Sequence, residues 1–123
     1  MKRKKKAKAA KSPKKAKGLA KPNDAARQVK QKLPGSDQIQ EAAARMRIIA
    51  DPVRFSLLYA LSLSPLCVND LSAISGISQS GTSHQLRLLR TAHFVATRKK
   101  GKQVFYRLDD ANVRRLIRMA ISS

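Results

Sequence analysis

The sequence predicts a mainly α fold with one small β-hairpin, and three observations predict it. From residue 36 onward, apolar residues recur at three- and four-residue spacing in successive stretches. Helix signals punctuate those stretches: Ser36-Asp37, Asp51-Pro52, Gly76 and Ser78. Near the C-terminal end the periodicity changes. Phe94–Lys99 and Gln103–Leu108 are β-prone runs joined by Lys100-Gly101-Lys102, which is the pattern of a hairpin. In order this makes helix, helix, helix-turn-helix, hairpin, helix: a winged helix-turn-helix over residues 35–123.

Residues 1–34 precede that domain. They are Lys, Ala and Pro with little hydrophobic content, and such a segment buries too little apolar surface to offset its ordering entropy. The expectation is a disordered basic tail, with Asp24 to Lys32 at most a transient helix cut off by Pro34-Gly35. Ser36-Asp37 then caps a first helix carrying Ile39, Ala42, Ala43, Met46 and Ile49. Asp51 caps the second, with Pro52 in its first turn. Val53, Leu57, Leu58 and Leu61 form its buried stripe, and Pro65 stops it. A third helix, about Val68 to Ser75, contributes Leu71 and Ile74 before Gly76 ends it.

Ser78 is the expected cap of the next helix. Leu86, Leu89 and Leu88 turn inward, and Gln79, Ser80, Thr82, Ser83, His84 and Arg87 form the opposite face. These are hydrogen-bonding side chains, none acidic, suited to entering a major groove and reading base edges. His93 falls where this helix ends and suits the left-handed conformation there. In the hairpin Arg98, Lys99, Lys100 and Lys102 are phosphate-binding candidates. A final helix, about Asp110 to Ser122, carries Val113, Leu116, Ile117 and Ala120. That stripe is long for so short a helix, and part of it is expected to pack on a second copy.

The charge points the same way. The chain has 123 residues with 27 Lys+Arg against 7 Asp+Glu, a net charge of +20 and a pI near 11.3, which is the footprint of a polyanion binder. The 14 basic residues of positions 1–34, less Asp24, give +13, and positions 35–123 contribute the remaining +7. With no Trp, three Phe and two Tyr, the chain is not built around stacking platforms for single strands. No apolar run approaches the length of a membrane span, and the basic N-terminus lacks the apolar core of a signal peptide. The expected location is the cytoplasm, at the nucleoid. No Ser/His/Asp or Cys/His arrangement and no phosphate-cradling Gly loop is present, so the chain reads as a non-enzyme without a cofactor.

Four motifs in order resemble ArsR/SmtB-type transcriptional repressors: Ile49-Ala50-Asp51-Pro52-Val53-Arg54, Leu66-Cys67-Val68-Asn69-Asp70-Leu71, Ile77 through Arg90, and Val104-Phe105-Tyr106-Arg107-Leu108. The resemblance covers residues 39–121. It implies a homodimer that reads an inverted-repeat operator on double-stranded DNA and is released by an inducer. It also implies a dimer interface on the first and last helices, matched here by Ile39, Ala43, Met46, Leu116, Ile117 and Ala120. Two family metal sites are incomplete. Where one uses Cys-x-Cys, this chain has Cys67 and Asn69; where the other follows an Asp with a His, Asp110 is followed by Asn112. No metal is therefore expected, and the inducer is unknown. Cys67 is either a small buried hydrophobe or a thiol made redox-responsive by a helix N-terminus. The alternative to an operator-specific repressor is an architectural, nucleoid-associated protein binding through its basic tail.

Overall fold

The computed structural model describes residues 22–122, which fall into two units divided after Ser36. In the first unit α1 spans Pro22–Lys32, with Asp24 in its first turn and Lys30 and Lys32 in its last. Those charges complement the helix dipole at both ends, and Arg27 approaches Asp24 at 3.8 Å. This helix covers the stretch from Asp24 to Lys32 in which a transient helix is expected. The rest of the tail, residues 1–21, lies outside the described residues.

The second unit takes in α2 (Ser36–Ile49) from its second residue, then α3 (Pro52–Leu63), β1 (Leu66–Cys67), α4 (Val68–Ser75), α5 (Gln79–Thr91), β2 (Val95–Lys100), β3 (Gln103–Leu108) and α6 (Ala111–Ser122). The strands form one antiparallel sheet in the order β1-β3-β2. β1 is too short for its period to show in sequence; it exists because Leu66 and Cys67 pair with Tyr106 and Phe105. The hairpin turn is Gly101-Lys102, flanked by the Lys100–Gln103 pair. Gly101 takes φ +64°, as a two-residue turn with glycine first demands.

One apolar core joins every layer of this unit. α3 supplies Leu57, Leu58 and Leu61, α4 supplies Leu71, and α5 supplies Leu86 and Leu89. Phe94, Val95 and Leu108 come from the hairpin and the residue before it, and Val113 and Ile117 from α6. Ser62 is buried on α3, and its carbonyl accepts from Arg114 Nη1 at 2.6 Å and Arg118 Nη2 at 2.9 Å. The two arginines thereby clamp α6 to the end of α3, where unpaired helix carbonyls need donors. Asp110 caps α6, its Oδ1 accepting from the N–H groups of Asn112 and Val113 at 2.9 and 3.1 Å. Its other oxygen lies 3.4 Å from Arg45 of α2, whose guanidinium also stacks 4.7 Å from the Phe94 ring.

Three burial expectations are corrected. Leu88 is exposed, because at 100° per residue it sits nearly opposite Leu86. Ile74 is exposed at the end of α4, where it lines an open apolar groove with Phe55, Tyr59, Leu63 and Ile121. Ile117, expected at a dimer interface, is 0% exposed within one chain. It stands four residues from Val113, and the two make the inward face of α6.

Candidate nucleic-acid interface

The geometry of the candidate surface begins at Gly76, which ends α4 in the left-handed conformation (φ +75°) and donates its N–H to Ser72 O at 2.9 Å. Ser72 Oγ donates to Ile77 O at 2.6 Å, closing the turn from inside. Ser78 then caps α5 as expected: its Oγ accepts from the Gly81 N–H at 3.0 Å. The far end of α5 is equally defined. His93 adopts φ +64°, its N–H reaches Arg90 O at 2.9 Å, and the Phe94 N–H reaches Leu89 O at 3.0 Å. That pair of bonds is a Schellman closure, with Phe94 and Leu89 buried behind it. α5 is therefore fixed at both ends and backed by the core.

Of the residues expected on its outer face, Gln79, Ser80, His84 and Arg87 are exposed and Ser83 is half-buried. Thr82 is a correction. It is 0% exposed, and its Oγ1 donates to Ser78 O at 2.9 Å with Ser75 Oγ 3.4 Å away. Its hydroxyl satisfies the junction of α4 and α5, so in this conformation it touches no external partner. Gln79 is exposed but engaged: its amide donates to the Asn69 side-chain oxygen on α4.

The wing stands beside the start of α5. Gln103 and Val104 line one open cleft together with Gln79, Asn69, Val68 and Cys67. Arg98, Lys99, Lys100 and Lys102 are all exposed. From residue 71 to residue 108 the chain has seven Lys or Arg and no acid. Only Arg107 among them has an ion pair among the described residues, with Asp109 at 3.0 Å. Gln79 at the start of α5 thus shares a cleft with Gln103 and Val104 of the hairpin, while Arg98, Lys99 and Lys100 line a separate one with Pro65, Phe105 and Arg107. Polar and cationic groups of the kinds that take base edges and phosphates lie on neighbouring elements.

The remaining expected sites are placed as follows. Cys67 is half-buried at the start of α4, where it makes no capping bond through its side chain, and its thiol donates to Asp70 Oδ2 at 3.4 Å. Asp110 is committed to capping and to Arg45, and Asn112 accepts from Arg115. Among the described residues no three His, Cys, Asp or Glu side chains gather as a metal site would require. Ile39 and Met46 are exposed at 47% and 50%, Ala43 and Leu116 are half-buried, and Ala120 is exposed. Sequence reasoning missed Arg54, whose guanidinium bonds Gln85 of α5 at 2.9 Å and Ile48 O of α2 at 2.8 Å. Its position one residue into an apolar stripe was the available signal.

Known proteins share this arrangement. A family described as bacterial regulatory protein, arsR family, matches residues 51–97. A transcriptional repressor SmtB homolog of Synechocystis is 42% identical over 92 residues, 75% of this chain and 70% of that protein. The HTH-type transcriptional regulator NmtR of Mycobacterium tuberculosis is 36% identical, over 70% of this chain and 72% of its own length. Among solved structures, the transcriptional repressor BigR from Xylella fastidiosa superposes with a TM-score of 0.64 at 32% identity, covering 70% of this chain and 88% of that one.

Proposed function

The chain belongs to the ArsR/SmtB-type family of winged-helix DNA-binding transcriptional repressors, and from that premise we propose how this member reads DNA. It acts as a homodimer on an inverted-repeat operator. Ser80, Ser83 and His84 meet base edges, Gln79 sits at the rim of the same groove, and Arg87 reaches the adjoining backbone. Arg98, Lys99, Lys100 and Lys102 hold phosphates flanking the half-site. The observation that carries this reading is the capped helix α5, with Gln79, Ser80, His84 and Arg87 exposed on an acid-free face, followed directly by a hairpin whose Arg98, Lys99, Lys100 and Lys102 are all exposed. Exposed Ile39 and Met46 on α2, with Leu116 and Ala120 on α6 and Ala43 beside them, form the surface for the second copy.

The tail of residues 1–34 adds sequence-independent phosphate attraction to a domain that is basic in its own right. The protein works at the nucleoid in the cytoplasm and catalyses no reaction. No helix among the described residues is long and apolar enough to cross a membrane. At the positions matching the family's metal ligands, Asn69 and Asn112 supply amides instead of a thiolate and an imidazole, and an amide oxygen is a poor partner for a soft metal. The reading therefore assigns no metal. Cys67, half-buried with its thiol donating to Asp70 Oδ2, is the position where a redox inducer would act.

The 14 basic residues of the tail favour a second reading, an architectural protein that packages DNA without sequence preference. Binding of the full chain, and of a chain lacking residues 1–34, to its own promoter and to random fragments across a salt series separates the two. Operator reading predicts that both chains prefer one inverted repeat, the shorter with a smaller salt slope. Equal affinity for all fragments would leave packaging as the better account.

A further inference from the structure

The last turn of an α-helix leaves four carbonyls without intrahelical partners. At the end of α2 the Met46 carbonyl accepts from the Ala50 N–H at 2.9 Å. The Ile48 carbonyl accepts instead from a side chain, Arg54 Nε, at 2.8 Å. The same guanidinium donates through Nη1 to Gln85 Oε1 on α5 at 2.9 Å. Arg54 is itself pinned at the start of α3, where its backbone N–H donates to the capping Asp51 Oδ2 at 3.0 Å. One planar cation therefore joins the end of α2, the start of α3 and the middle of α5. Arg54 and Gln85 are both half-buried, so these bonds form where water competes less than at the surface.

Gln85 stands between the inward Leu86 and the outward His84. Its anchorage therefore adds to the buried Thr82, Leu86 and Leu89 in holding the rotation of α5 about its own axis, and with it the direction in which the outer side chains point. α2, at the other end of the brace, carries exposed Ile39 and Met46. A dimer reading two half-sites needs its two reading helices at a fixed separation, about one helical turn of DNA, and that separation is only as firm as the link between each reading helix and the interface.

We propose that Arg54 is a positioning residue for DNA recognition, bracing α5 against the end of α2 through Gln85 and Ile48 O without touching DNA. The proposal rests on the reading of α5 as the DNA-reading helix. Lysine keeps the charge at this position, but a single ammonium on a narrower stem does not span both acceptors as the guanidinium fork does.

The test uses the full chain with Arg54→Lys, Arg54→Gln, Gln85→Met and the double variant Arg54→Lys with Gln85→Met. In the free protein, nitrogen-resolved NMR is expected to show an Arg54 Nε–H protected from solvent exchange, and a Gln85 amide signal that moves in Arg54→Lys. On DNA, each single variant is expected to lose about fivefold or more in affinity for the promoter fragment, the size typical of coupled neighbours. Affinity for random DNA and the salt slope should stay at wild-type values, and the double variant should bind no more weakly than the weaker single one. Losses that multiply in the double variant would overturn the proposal. So would a salt slope reduced by about one in Arg54→Gln, the mark of a phosphate contact, or a base preference relaxed at one position in Gln85→Met. Should the wild-type chain fail to distinguish its promoter from random DNA, the DNA-reading assignment fails. The brace is then decided by NMR alone, and a freely exchanging Arg54 Nε–H rejects it.

Discussion

Replacing Thr82 by Val separates a structural hydroxyl from a DNA-reading one. Valine keeps the branched shape in a site with no solvent exposure, so the change removes little beyond the Oγ1 bond to Ser78 O at 2.9 Å and the 3.4 Å approach of Ser75 Oγ. The Ser78 carbonyl is not orphaned, because the Thr82 N–H still donates to it at 2.8 Å. The cost is therefore that of one net hydrogen bond, about 1 kcal/mol, without the larger penalty of a buried unsatisfied acceptor. In a domain of this size that lowers the melting temperature by about 4–8 °C. Because dimerisation makes melting concentration-dependent, wild type and variant are compared at one protein concentration by circular dichroism, and promoter affinity is read by fluorescence anisotropy well below the transition. Affinity should stay within about twofold, since a direct base contact would have contributed about 1–3 kcal/mol of discrimination. A tenfold loss of affinity with an unmoved melting temperature would refute the reasoning and put the hydroxyl on DNA.

Other outcomes follow from the same geometry. Ser80→Ala and His84→Ala should show the opposite split, losing about tenfold in promoter affinity per side chain while thermal melting stays put; melting curves beside binding isotherms check this. His93→Gly removes the side chain from a left-handed backbone and should stabilise the fold by up to about 1 kcal/mol, read as a rise in denaturant midpoint at unchanged slope. Arg98→Ala, Lys100→Ala and Lys102→Ala should each reduce the dependence of log affinity on log salt by about one, with equal losses on promoter and random DNA. Gly76→Ala meets no steric neighbour within 4 Å, yet must hold φ +75°, so it should destabilise by about 1 kcal/mol without altering base preference.

Much of this architecture was legible because short-range chemistry dictates it. Asp51-Pro52, Gly76 and Ser78 mark helix boundaries through cap geometry, and the structure places boundaries at each. His93 was legible as a left-handed position because α5 must end before the β-prone run begins. Thr82 was misplaced because composition shows a hydroxyl and not its direction. At four residues from Leu86 it belongs to the inward face, where a local acceptor, Ser78 O, satisfies it. Ile117 failed for a related reason: α6 has more apolar positions than one face holds, and only packing against α3 decides which side turns inward. β1 depends on partners 40 and 38 residues away in sequence, Leu66 with Tyr106 and Cys67 with Phe105, and the Arg54–Gln85 bond on one 31 residues away; no local period records such pairings. In α1 the tail's composition suggested too little apolar burial, whereas Pro22, Asp24, Lys30 and Lys32 supply a favourable start and end to a helix whose described residues are all exposed.

The central claim is that the outer face of α5 reads bases. Selection of binding sites from a randomised DNA library by the wild-type chain, by Ser80→Ala and by His84→Ala tests it most directly. The account predicts that wild type recovers an inverted repeat with half-sites about one helical turn apart, and that each variant relaxes preference at the same position in both halves. Recovery of no motif by wild type, or of the unchanged motif by both variants, would contradict it.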